Sequence, residues 1–113
     1  MKKKYEFTGK EKKFSNGATV RRIRALRNIP AYDVKVGDIS GFLESDENLS
    51  HSGKAWVAGN AIVCGDARVS SNAIVCGKAR VWGDAKISGN AWVFGGARLG
   101  FNTRVSGDTK VGF

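Results

Sequence analysis

The run Val57-Ala58-Gly59-Asn60-Ala61-Ile62-Val63-Cys64-Gly65-Asp66-Ala67-Arg68-Val69 decides the fold, because it repeats its own grammar every six residues. An aliphatic side chain returns at Val75, Val81, Ile87, Val93, Leu99, Val105 and Val111. Four residues after each stands a small one, Ala61 through Ala97 and then Thr103 and Thr109. Between them lie turn pairs such as Gly59-Asn60, Ser71-Asn72, Gly83-Asp84 and Gly89-Asn90, built from residues that tolerate the positive φ of a sharp corner. A helix cannot use a period of six, which would scatter the valines around its circumference. An antiparallel sandwich needs longer strands, with turns every 8–12 residues. What remains is a solenoid of very short strands with a corner after each.

The motif aliphatic-x-Gly-Asn/Asp-Ala-x over residues 51–113 resembles the hexapeptide-repeat superfamily, the left-handed parallel β-helices that include trimeric acyltransferases. Weaker traces hold the same frame back through Ala55 and Leu49 to Leu43 and Ile39. The run Gly41-Phe42-Leu43-Glu44-Ser45, with Asn48-Leu49-Ser50-His51 after it and Arg24-Ala25-Leu26-Arg27 before it, is similar to short hexapeptide-repeat proteins of phages and prophages. The resemblance implies a left-handed coil with three hexapeptides per turn. The expected architecture is all-β, a left-handed parallel β-helix of about four coils (39–56, 57–74, 75–92 and 93–110) behind an N-terminal β-hairpin cap. Residues 1–38 form the cap and linker, and 39–113 the β-helix.

The cap reads differently from the body. Aromatics at Tyr5, Phe7 and Phe14 precede Ser15-Asn16-Gly17, a hairpin turn, and Val20-Arg21-Arg22-Ile23-Arg24-Ala25 alternates apolar and basic like a half-exposed strand. A helix from Val20 to Arg27 is the alternative. A cap suits a solenoid, whose terminal edge must be covered.

The chain has 113 residues and a net charge of +9, which together indicate one domain and point to an acidic partner: nucleic acid, nucleotide or an acidic protein surface. Residues 1–27 carry ten Lys/Arg against two Glu, so the charge is concentrated in the cap. No apolar run is long enough to span a membrane, and Lys2-Lys3-Lys4 leads into no apolar leader segment. Cys64 and Cys76 suit reduced thiols in a cytoplasm. They fall on different faces, no CxxC or nearby His accompanies them, and no metal site is expected.

With aliphatic residues pointing inward, their neighbours point out on three unlike faces. The first shows Trp56, Ile74 and Trp92 beside Ala58, Cys76 and Phe94. This apolar stripe is expected to lie under the N-terminal arm, to join copies into a homo-oligomer, a trimer by the resemblance, through Trp56, Ile74, Cys76, Trp92 and Phe94, or to offer an aromatic platform to a ligand. The second shows Ile62, Arg80 and Arg98 beside Cys64, Trp82 and Gly100. The third stacks Arg68, Lys86 and Arg104 beside Ser70, Ser88 and Ser106. Like charges at strand spacing repel, so these ladders, with Arg21, Arg22, Arg24 and Arg27 of the cap, are candidate anion-binding residues. The plainer reading is a solvated face offset by Asp66, Asp84 and Asp108 at the corners.

Three functions fit. The favoured one is a non-catalytic phage-type binding protein whose basic cap and ladders hold an acidic partner, including a host defence complex that handles nucleic acid. It needs no cofactor. The second is an acyltransferase with His51 as base and acyl-CoA as substrate; it is weakened because His51 also reads as a half-buried capping residue in the inward position of the first coil. The third is a structural β-helix that stacks end to end.

Overall fold

The computed structural model describes residues 3–14 and 17–112; the expected turn residues Ser15 and Asn16 lie outside this set. Two long strands, β1 (Tyr5–Lys13) and β2 (Thr19–Ala25), form the antiparallel hairpin, with Tyr5 opposite Ala25 and Lys13 opposite Thr19. The segment Val20–Ala25 is therefore strand and not helix. β2 pairs antiparallel with β3 (Ile39–Leu43), and Ile23 and Ala25 face the core while Arg21 is exposed, as the alternation requires.

From there the chain winds into two-residue strands, one per hexapeptide: β4 (Trp56–Val57), β5 (Ile62–Val63), β6 (Arg68–Val69), β7 (Ile74–Val75), β8 (Arg80–Val81), β9 (Lys86–Ile87), β10 (Trp92–Val93), β11 (Arg98–Leu99), β12 (Arg104–Val105) and β13 (Lys110–Val111). They stack in parallel as three sheets, and the first continues into the cap: β1-β2-β3-β5-β8-β11, then β4-β7-β10-β13, then β6-β9-β12. The result is an all-β parallel solenoid of about four turns. Val57, Val75 and Val93 stack on one wall, Val63 and Val81 on the next, Val69 and Ile87 on the third, and the corner alanines fill the spaces between.

Corner geometry explains the glycines. Where the repeat departs from Gly, at Ser71 and Phe101, the backbone still turns at φ 60° and 56°, a conformation that disfavours a side chain. Gly41 has a different reason: a Cβ there would stand 2.8 Å from the Ala61 carbonyl oxygen and 2.6 Å from Val57 Cγ1, where β3 crosses the first coil.

The first coil breaks the frame expected for it. Val57 pairs with Val75, eighteen residues on, but Leu43 pairs with Val63 and Leu49 with Val69, each twenty on. Two extra residues therefore lie between Leu49 and Gly53. Ala55 occupies the small corner position and not the aliphatic one, and its N–H bonds Ser71 O at 2.9 Å. His51 belongs to this insertion, so it is not an inward member of the stack. Ile39 also lies outside the core, half exposed at the start of β3.

The upper edge of the first coil is closed by side chains. Asn48 Oδ1 accepts from the N–H groups of Glu44 (3.0 Å) and Ser45 (2.7 Å), and its Nδ2 donates to the carbonyls of Gly65 (3.2 Å) and Ala67 (2.8 Å). Glu44 Oε1 accepts from Gly65 N–H at 2.6 Å. Tyr5 plugs the end of the core: it is buried, stacks on His51 at 4.2 Å, meets Trp56 edge-on, and donates its hydroxyl to the Asp46 and Leu49 carbonyls at 2.8 and 2.9 Å.

Candidate anion-binding site

The structure sorts the candidate basic residues into two groups. Those of the cap are engaged within the chain. Arg21 pairs with Glu11 (3.3 Å) and Arg24 with Glu6 (2.9 Å), both across the hairpin. Arg22 lies over the Phe42 ring at 4.5 Å and binds Ser40 O, Gly59 O and Asn60 Oδ1. Arg27 donates to Gly53 O at 2.7 Å and His51 O at 3.3 Å, holding the two-residue insertion against the cap. These guanidiniums fasten the hairpin to the first coil.

The ladders of the body are different. Arg80 and Arg98 are register partners on β8 and β11, as are Lys86 with Arg68 and Arg104 with Lys86 on the third sheet. Of these five, only Arg68 has an acidic partner among the described residues, Glu47 at 3.6 Å. The two ladders also differ in their corners. Arg68 and Lys86 share a surface groove with Asp66 and Asp84, which offset them, whereas the corner before Arg80 carries Lys78 and the corner before Arg98 carries Gly95-Gly96. Carboxylates thus line the groove of the third-face ladder, and none among the described residues lines the groove beside Arg80 and Arg98.

On the second face Arg80 and Arg98 border a groove of about 290 Å³ with Phe14, Ile62, Cys64 and Trp82. The Arg80 guanidinium stands 5.9 Å from the Phe14 ring centre. Phe14 and Cys64 pack on a small apolar cluster of Val20, Phe42 and Ile62, which forms the floor. A Cβ at Gly100 would collide with the Trp82 indole, so the ring lies across that glycine. Burial, then Glu44, pushes the Cys64 thiol up, with Arg80 opposing; Cys76 is likewise pushed up by burial. Both shifts work against formation of the thiolate.

A second groove, about 510 Å³, joins His51 and Asp46 to Arg68, Lys86, Ser70 and Ser88. His51 Nδ1 accepts the Lys4 backbone N–H at 3.0 Å, so in the neutral ring Nε2 carries the proton and donates to Asp46 Oδ1 at 2.9 Å. Partial burial pushes the Asp46 carboxyl up, but hydrogen bonds from His51 and Tyr5 outweigh it and leave the group below the ordinary aspartate range. Both ring nitrogens of His51 thus have partners within the chain.

The apolar column also divides. Trp56 is fully buried, with its indole N–H on Ser40 Oγ at 3.0 Å, and Ile74 is buried beside it. Trp56 is thus removed from the expected oligomer interface, because Tyr5 and β3 cover it. Tyr32, in the short 3-10 turn Pro30–Tyr32, meets Trp92 edge-on and bonds the Asn72 carbonyl. Trp92 and Phe94 remain 42 % and 37 % exposed, with Cys76 partly buried next to them.

Sequence reasoning missed Lys4, which is fully buried with its Nζ 3.4 Å from Ser52 O. Burial, then the nearby Arg27 charge, pushes its ammonium down to about 8. The unfolded chain holds that proton up to pH ~10.4, so between these values it binds more protons than the folded chain. Lys4 therefore contributes stability that rises as pH increases from about 8 toward 10. The raised thiols of Cys64 and Cys76 act in the opposite sense over much of that range, because the unfolded thiols ionise at ~8.5. Above ~10 the Tyr5 phenol, pushed up by burial and then Asp46, also opposes Lys4, because only the unfolded tyrosine ionises there. Lys4→Met should remove the lysine's contribution and raise stability at pH 7 by on the order of 2 kcal/mol, an advantage over wild type that shrinks between pH 8 and about 10. Urea midpoints of both proteins across pH 7–10 check this, and an advantage of Lys4→Met that stays constant with pH rejects it.

No protein-family model matches the chain, and no curated protein matches it in sequence. Fold and site define a small β-solenoid with an arginine-lined groove on one face. No helix among the described residues is long and apolar enough to cross a membrane, and no group of three or more metal-binding side chains occurs among them.

Proposed function

We propose that this chain is a non-catalytic binding protein, similar to the short phage and prophage hexapeptide-repeat proteins, that engages an acidic partner: nucleic acid, a nucleotide or a host complex that handles nucleic acid. The observation that carries the reading is the Arg80–Arg98 ladder, two arginines in register with no carboxylate partner for either among the described residues. Stacked like charges cost stability unless an anion joins them. The cap, although it holds most of the charge, contributes through its exposed Lys10, Lys12 and Lys13, because its arginines are already engaged. The acyltransferase reading lacks support at His51, whose ring is held between Lys4, Asp46 and Tyr5.

Two to four phosphate contacts imply that DNA affinity falls about 10- to 100-fold between roughly 50 and 200 mM salt. The double variant Arg80→Glu/Arg98→Glu should weaken binding at least about tenfold, and Arg24→Ala should leave it unchanged. Fluorescence anisotropy with labelled DNA measures both. Salt-independent affinity, or equal loss in the two variants, contradicts the assignment to the ladder.

A further inference from the structure

We propose that the groove lined by Phe14 and Trp82 is a nucleotide site, taking one base against its aromatic rings and the attached phosphate on Arg80 and Arg98. This rests on the reading of the ladder as an anion site and deepens it. A phosphate alone would need only the guanidiniums. This groove adds a partly buried indole held across Gly100, the Phe14 ring near Arg80, and the apolar side chains of Ile62 and Cys64. The space of about 290 Å³ suits a single planar base and not a double helix.

Three features make the lining chemically specific. The Trp82 indole N–H makes no hydrogen bond among the described residues, which leaves a donor in the groove lining for a base carbonyl or phosphate oxygen. Arg80 and Arg98 are adjacent at strand spacing, ~4.8 Å, which lets two guanidiniums share one phosphate. Arg80 also approaches the Phe14 ring, so cation and aromatic face belong to one surface. Stacking platforms beside positive charge bind single strands with little sequence preference, since every base offers a π-face. Duplex DNA hides its bases and could use only the arginines.

The nucleotide could come free or as part of a single strand, and the test separates these. Affinities are measured by isothermal titration at low salt for four probes: the single strand dT12, the corresponding duplex, ATP, and base-free polyphosphate of similar charge. The expected result is dT12 or ATP binding at least about tenfold tighter than polyphosphate and duplex. If ATP matches dT12, the ligand is a free nucleotide; if dT12 is tighter, it is a strand. Trp82→Leu should erase the preference while leaving polyphosphate affinity unchanged, and Trp82→Phe should retain most of it. Equal affinity for polyphosphate and dT12, or a preference for duplex, overturns the nucleotide site and leaves the basic ladder standing. Failure of all four probes to bind overturns the ladder reading itself. The wild-type comparison decides the matter even if a Trp82 variant does not fold.

Discussion

Tyr5→Ala should cost about 3–5 kcal/mol, enough to leave a large fraction of so small a protein unfolded at room temperature. The end of a solenoid is its weak point, since the last coil has no neighbour to cover its core or pair its backbone. Tyr5 does both. Its ring lies between His51, Phe7 and Trp56, and its hydroxyl reaches two carbonyls that no strand above supplies with donors. Truncation removes the plug and opens a cavity that the stiff coils cannot close. Tyr5→Phe keeps the plug and leaves the Asp46 and Leu49 carbonyls without this donor, for about 1–2 kcal/mol. Urea denaturation of the two variants separates packing from hydrogen bonding. A loss below about 1 kcal/mol in Tyr5→Ala would mean that the cap does not close the core.

The body of this fold was legible because its signal is local and repeated. Each Val–corner–Ala unit specifies its own turn, and from Gly53 onward the six-residue step and the structural register agree. The first coil was not legible for a physical reason. Counting by six from Leu49 lands on Ala55, and alanine suits both the aliphatic position and the small corner position. The frame therefore passes through His51-Ser52 without signalling that two residues have been added. Trp56 illustrates the other limit. Its outward place on β4 follows from the repeat, but its burial depends on Tyr5 and Ser40, fifty-one and sixteen residues away. The ladders were visible as spacing. That the cap arginines are bound to carbonyls and glutamates, while among the described residues those of the body other than Arg68 have no carboxylate partner, is a tertiary fact that charge counting cannot separate.

Asn48→Asp should destabilise the protein by about 3–5 kcal/mol at neutral pH, more than its near-identical shape suggests. In the regular coils, Asp66 N–H donates to Gly83 O and Arg68 N–H to Ala85 O. One coil earlier the backbone makes the 3-10 turn Asp46–Asn48, and the equivalent carbonyls, Gly65 and Ala67, receive both hydrogen bonds from the one Asn48 amide. That side chain stands in for two backbone donors. An aspartate would turn an acceptor toward the same oxygens and place a charge where the native residue is 1 % exposed. The folded state would then hold its carboxyl proton above the unfolded value of ~3.9, so the folded chain binds more protons in that window. The deficit relative to wild type should consequently shrink as pH falls toward 4, when a protonated carboxyl can donate once. Asn48→Ala, lacking the charge, should lose about 2–4 kcal/mol by a margin independent of pH. Parallel urea titrations of the three proteins at pH 4 and 7 test the argument. An Asn48→Asp deficit that does not change with pH would show that its cost is not the missing donor but lost packing alone.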